Sequence, residues 1–262
     1  MKAIVQLGSR QYATDFSAPN DISIALEAGP GHTSAWYVDP IRIEPVLSAQ
    51  FTGSVAEGGS VNFRDIFFNP HGHGTHTECL GHISPEVHSV NRSLRRFFFS
   101  AFLVSVEPEL LTEDDRWMRA GDRCITARSM EKFLSSARDC EALIIRTLPN
   151  TPDKRTFAWS DTNPPYIHPE AMQLIAATGV QHLLIDLPSI DRESDQGLLT
   201  AHHIFWNYPE NPRPDRTITE FIFVPDPIRD GLWLLELQVA PFENDASPSR
   251  PLLYPLTEVP HT

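Results

Sequence analysis

What most limits the folds open to this chain is the order of apolar runs between residues 126 and 186. Residues 126–137 read as a helix opened by Thr126 as a potential N-cap, and 142–146 as a short apolar strand. Residues 168–178 carry apolar side chains at helical spacing until Gly179 closes the helix, and 182–186 read as a second strand. Helix, strand, helix, strand in this order predicts two βα-type units on a common sheet. Further strands expected at 101–106, 219–224 and 232–239 complete a mixed α/β protein. Twenty-three prolines, spread without a repeat or low-complexity tract, imply many short elements joined by ordered turns.

At 262 residues and 41% hydrophobic content, the chain can bury a full core, and one domain over 1–262 is expected. Its segment 244–262 is polar and proline-rich, and reads as a C-terminal arm along the surface or a partner subunit. The formal net charge of -13 argues against a nucleic-acid partner, because phosphate binding needs clustered Lys and Arg. Arg92, Arg95 and Arg96, followed by Phe97–Phe99, read as a solvated helix face beside a packed segment. Three cysteines at irregular spacing fit neither a disulfide framework nor a CxxC knuckle. No run approaches the ~18 apolar residues of a membrane helix, and MKAIVQLGSRQY lacks the apolar core of a signal peptide. A soluble protein of the cytoplasm, without a membrane partner, is the expectation.

The segment NPHGHGTHTECLGH places His71, His73, His76, Glu78 and His82 within twelve residues. If GTHTE is extended, His76 and Glu78 point to one face, the separation a single divalent ion needs from two side chains. Imidazole and carboxylate donors together suit Zn²⁺, Mn²⁺ or Fe²⁺ rather than Ca²⁺. The competing reading is a hydrogen-bonded surface turn, which Gly72 and Gly74 would equally serve. His202 and His203 follow a strand-like LLTA. Glu220 lies in TITEFIFV, where an unpaired buried carboxylate is costly unless it binds a cation or faces solvent on an edge strand.

These residues resemble the signature H-x-G-T-H-x-D-x-P-x-H of the cyclase family, the metal-dependent hydrolases that include bacterial kynurenine formamidase and isatin hydrolase. Glu78 stands for the Asp and Leu80 for the Pro. NPPYIHPEAMQLIAATGVQHLLIDLPSID and TAHHIFW look like the family's later blocks, so the resemblance covers most of 60–225. It implies a swivelling β/β/α single domain that binds one or two divalent ions, Zn or Mn. By position, His76 and Glu78 look like ligands, Glu78 bridging if two ions bind. His82 matches the proton donor or acceptor, His202 the later ligand with His203 as its neighbour, and Glu220 a second bridging carboxylate. The first signature His falls on Gly72. His71, by a one-residue bulge, is preferred in its place over His73, and an empty position is the third possibility.

The resemblance implies hydrolysis of an amide, formamide or lactam C–N bond by metal-activated water, with His82 as general acid/base, since imidazole titrates near neutrality. It also implies a homodimer or homotetramer acting on a small molecule. Trp36, Trp159, Tyr166 and Trp206 are candidates for an aromatic pocket or for core. The segment around Asp153 reads as a surface turn or a loop over the site. Two rivals remain: a metal-free hydrolase using Cys79 as nucleophile, and a catalytically silent relative that binds a small aromatic ligand or serves as an assembly subunit.

Overall fold

Strands and helices form close to where the apolar periodicity predicts them between residues 98 and 236. In the computed structural model, which describes residues 1–260, nine strands build the central sheet. They are β1 (Asn20–Asp21), β2 (His76–Cys79), β3 (Phe98–Val106), β4 (Ala142–Thr147), β5 (His182–Ile185), β6 (Thr217–Glu220), β7 (Gly231–Glu236), β8 (Ala246–Pro248) and β9 (Leu252–Pro255). Their spatial order is β8-β2-β6-β5-β4-β3-β7-β9-β1. β3 to β6 run parallel, with antiparallel strands added on both sides. Three helices follow in turn: α1 (Ala127–Ala137), α2 (Pro169–Thr178) and α3 (Thr200–Trp206), α1 packing on α2 and α2 on α3.

Every residue of β4 and β5 is buried, the signature of parallel strands covered on both faces. Leu143, Ile145, Leu183 and Ile185 join Met130, Met172, Phe205 and Trp206 on the helix side. Ala142, Ile144 and Leu184 enter a second core with Phe99, Leu103, Leu235 and Leu253, where the sheet curls over itself. Truncating Ile144 or Ile145 to alanine should therefore cost about 2–5 kcal/mol.

The helix ends obey local chemistry. Thr126 Oγ1 accepts from Ser129 N at 3.2 Å, and α2 closes on Gly179 at φ 92°, a left-handed conformation that favours glycine.

Two expectations are corrected. The strand expected at 219–224 is β6, which ends at Glu220 because Phe221 turns to φ 54° and its carbonyl accepts from Thr75 Oγ1. Ile222 and Val224 stay buried, so their apolarity marks a core-filling loop. His202 and His203 lie on α3 rather than after a strand: Ala201, His202, Phe205 and Trp206 are buried at i, i+1, i+4 and i+5, a helical face. The segment from 244 supplies β8 and β9, and Thr257–Glu258 pairs with the Lys2–Leu7/Arg10–Asp15 hairpin. Its residues 261 and 262 lie outside the described residues. No helix among the described residues is long and apolar enough to cross a membrane.

Candidate metal centre

The site forms where β2 meets β6. Antiparallel pairing sets His76 opposite Glu220 and Glu78 opposite Ile218, and the strand's two-residue period puts His76 and Glu78 on one face. Both are completely buried.

Three more imidazoles close on Glu78. His71 Nδ1 lies 3.1 Å and His82 Nε2 3.8 Å from Glu78 Oε2, while His202 Nε2 lies 3.1 Å from Oε1. Glu220 faces His76 Nε2 at 3.5 Å and His202 Nε2 at 3.9 Å. Only 4% exposed, with Oε1 accepting from Ile190 N at 3.1 Å, it does not face solvent.

The outer nitrogens of these rings are tied down. His76 Nδ1 faces the Gly74 carbonyl at 3.2 Å, His202 Nδ1 the Asp191 carboxylate at 2.7 Å, and His71 Nε2 the Asp245 carboxylate at 2.8 Å. A neutral imidazole that donates through its outer nitrogen presents the lone pair of the other inward, as a cation requires.

Charge distribution agrees with this geometry. Burial alone would raise Glu78, but His82, His202 and His71 outweigh it and hold the carboxyl well below the ordinary range. Burial would lower His71, yet Asp245 and Glu78 raise it to about 10, and Asp191 and Glu78 raise His202 well above its usual value. Hydrogen bonds from His71 and then His82 depress Asp245. Without a cation, protons on the histidines compensate the carboxylates.

Two buried polar atoms make no well-directed hydrogen bond: His76 Nε2, which meets Glu220 Oε2 only at 3.5 Å, and Glu78 Oε2, which meets His71 Nδ1 at 3.1 Å as an ion-pair contact. Leaving such an atom unpaired costs about 1–3 kcal/mol. A divalent ion would remove that cost, and the imidazole–carboxylate donor set suits one. Within this cluster, His71, His76 and Glu78 bring their ligand atoms within 4.8 Å of one another, as do Glu78, His82 and His202.

Position 72, on which the first signature His falls, has no room for a side chain. A Cβ at position 72 would lie 2.7 and 2.8 Å from the Val38 methyls and 3.1 Å from Ala35 O. His71 enters the cluster. His73 turns away, its Nδ1 accepting from Asn69 N and its Nε2 donating to Asp39 O, both at 2.9 Å. His203 is likewise apart, its Nδ1 3.0 Å from the Tyr208 carbonyl.

Cys79 points from the strand's other face, and burial pushes its thiol up, the opposite of what a nucleophile needs. That removes the support for the thiolate rival.

Loop LIDLPSID splits between two tasks. Asp186 accepts from Lys154 Nζ at 2.8 Å and from Thr147 Oγ1 at 2.9 Å, a buried anchor. The turn Pro152–Arg155 thus serves to deliver Lys154. Asp191 accepts from Ala201 N and His202 N at the start of α3 as well as from the His202 ring.

A cavity of about 310 Å³ opens on the cluster, lined by His71, His82, His202 and Glu220 together with Trp36, Val38, Ser189, Arg192 and Leu199. Of the four aromatic candidates only Trp36 borders it; Trp159, Tyr166 and Trp206 are buried in the core. A larger cleft of about 830 Å³, bordered by Ile24, Phe223 and Arg250, contains none of the clustered histidines. The smaller cavity is where the chemistry converges. Asp191 and Asp245 were not singled out from sequence; the DLPSID block carried a signal for the first and nothing marked the second.

The "Putative cyclase" family model matches residues 20–192, and the chain belongs to that family. None of the curated proteins matches it by sequence. Among solved structures, isatin hydrolase A from Labrenzia aggregata bound to benzyl benzoate is 14% identical, with 90% of this chain and 93% of that chain covered and a TM-score of 0.61. An isatin hydrolase bound to the product analogue thioisatinate is 13% identical over 92% and 94% of the two chains, TM-score 0.60. A predicted metal-dependent hydrolase from Bacillus stearothermophilus is 14% identical over 90% and 98%, TM-score 0.58. At these identities the likeness is one of fold, and the mixed α/β architecture with its curled sheet is the family's.

Proposed function

We propose that the chain is a metal-dependent hydrolase of an amide, formamide or lactam C–N bond, arylformamidase-like in its chemistry. The carrying observation is the convergence of His76 Nε2 and Glu78 Oε2, both buried and without a well-directed hydrogen bond, with the nitrogens of His71 and His202 that face Glu78. His71, His76, Glu78, His202 and Glu220 would hold one or two ions, zinc or manganese. A bound ion supplies Lewis-acid activation of water and of the substrate carbonyl. His82 is the general acid/base: its side chain is 27% exposed on the cavity wall and stands 3.8 Å from Glu78 Oε2, so it borders both the buried cluster and the substrate space. Trp36 gives the cavity an aromatic wall for an aryl or lactam ring.

The first test is metal content per chain in the wild type and in the His76→Ala, Glu78→Ala double variant, followed by a screen of formamides and lactams. Stoichiometric zinc or manganese, lost in the double variant, supports the reading. No metal in the wild type, even after both ions are supplied, would transfer support to the silent-relative alternative. His82→Ala should keep metal and lose about 10²–10⁴-fold in turnover; undiminished turnover removes His82 from the mechanism.

The same reading includes a homodimer or homotetramer. Support comes from Phe63, Ile66 and Phe67, three large apolar side chains left exposed on one short segment of the Arg42–Pro45/Arg64–Phe67 strand pair, since exposed apolar surface concentrated in this way is what contact faces carry. Light scattering on wild type and Ile66→Asp tests it: a monomeric wild type rules the assembly out. The three cysteines are free and buried, in keeping with a reducing compartment such as the cytoplasm.

A further inference from the structure

We propose that Asp245 is a positioning residue of the metal centre, holding the rings of His71 and His82 so that each turns its other nitrogen toward Glu78. The inference rests on the metal-site reading above and adds a residue that no spacing in the signature indicates.

The geometry is that of two parallel struts. The His71 and His82 rings stack with centroids 4.3 Å apart and planes 30° from parallel. At their outer ends both meet one oxygen: Asp245 Oδ2 lies 2.8 Å from His71 Nε2 and 3.5 Å from His82 Nδ1. At their inner ends both face one oxygen of Glu78.

An imidazole can offer a lone pair to a cation only when its proton sits on the other nitrogen, and the acceptor at that other nitrogen selects this tautomer. Asp191 plays that part for His202, and the Gly74 carbonyl for His76. For His71 the acceptor is Asp245, and the need is particular here. His71 occupies a place one residue away from the signature position, because Val38 and Ala35 block a side chain at 72.

The carboxylate is fixed by the fold. Ala246, the next residue, pairs with Glu78 across β8 and β2, and Asp245 O accepts from Cys79 N at 2.9 Å. Gly81 lets the segment approach closely: a Cβ there would lie 3.1 Å from Asp245 Cβ and 2.4 Å from His88 O.

The test is Zn²⁺ affinity of metal-stripped protein by competition with a chromophoric chelator, with the absorption spectrum of the Co²⁺-loaded form as a second readout. Asp245→Asn keeps the shape of the side chain and weakens the acceptor. It should bind Zn²⁺ roughly 10- to 100-fold more weakly at unchanged stoichiometry and alter the Co²⁺ spectrum, as Asp191→Asn should at His202. Asp245→Glu, which retains the acceptor, should recover part of the loss. A merely structural role would lower the melting temperature of the metal-free protein while leaving the Co²⁺ spectrum as in wild type, and that result would overturn the proposal. So would wild-type affinity in Asp245→Asn, or abolition of a binding site, which would make Asp245 a ligand. A wild type that binds no Zn²⁺ defeats the underlying metal-site reading, and this inference with it.

Discussion

Replacing Gly72 with alanine perturbs the point where this chain departs from the family signature. The added Cβ would lie 2.7 and 2.8 Å from the two Val38 methyls, where carbon atoms ordinarily rest about 3.5–4.0 Å apart. The opposing loop is not free to swing off, because Ala35 N donates to Gly72 O at 3.0 Å. Overpacking of this kind costs roughly 1–3 kcal/mol. At about 2–4 °C per kcal/mol for domains approaching this length, the melting temperature should fall by about 2–12 °C.

Because the two shortest contacts are both with Val38, Val38→Ala in the same chain should relieve much of the strain and leave the 3.1 Å approach to Ala35 O, a coupling of about 0.5–3 kcal/mol in a double-mutant cycle. Thermal and urea unfolding of the four metal-stripped proteins measures both quantities. Gly72→His combined with His71→Ala should not regain the Zn²⁺ affinity lost in His71→Ala. The steric account is refuted if Gly72→Ala melts with the wild type and shows no coupling to Val38, or if adding Gly72→His to His71→Ala restores binding.

Three further outcomes follow from the site and its supports. Lys154→Met strands the buried Asp186 carboxylate and should cost about 3–5 kcal/mol in urea unfolding; a loss below about 1 kcal/mol, the range of exposed pairs, would mean that water replaces the lysine. In metal-free protein, His71 is raised from 6.5 to about 10, so its contribution is whole below pH 6.5 and is lost as pH climbs toward 10, and His202, raised as well, adds in the same direction. The chelator-treated melting temperature should therefore decline between pH 7 and 10, and a flat profile there would count against the paired-histidine network. Since those protons must leave before the nitrogens can bind a cation, Zn²⁺ binding at pH 7 should release protons; calorimetry in two buffers of different ionisation enthalpy would expose a reaction without release.

The sequence told most where the physics is local. Thr126 capping α1 and Gly179 ending α2 are decided within a few residues, and both were readable. His76 and Glu78 were paired by the strand's period, and the fold assignment rested on the signature around them. Where side chains meet across the chain, the reading ran out. TITEFIFV looks like one strand because Ile222 and Val224 are apolar, but only the left-handed turn at Phe221, made against Thr75, shows that the strand stops at Glu220. LLTAHHIFW was ambiguous because short apolar runs suit either element, and burial of the 201/202/205/206 face decides for helix. His71 was preferred over His73, but the reason position 72 holds no side chain needed Val38, far before Gly72 in the chain, whose side chain no periodicity ties to the signature. Asp245 lies 174 positions from the ring it touches, in a segment whose prolines and polar residues read as an arm although Ala246, Ser247 and Leu253 are buried.

The pairing of β8 with β2 also orders events in time. Synthesis delivers the chain from its N-terminus, so His76 and Glu78 emerge long before residues 245–248. Once β6 has emerged and before β8 follows, β2 has only β6 beside it, and its far side presents a row of unpaired backbone groups, a template for misassociation. Arrival of β8 closes that edge and brings the Asp245 carboxylate in the same movement. On the proposed reading, full affinity of the centre then waits for residues 245–248, and a chain stopped before them would keep an open sheet edge beside histidines that lack their outer acceptor.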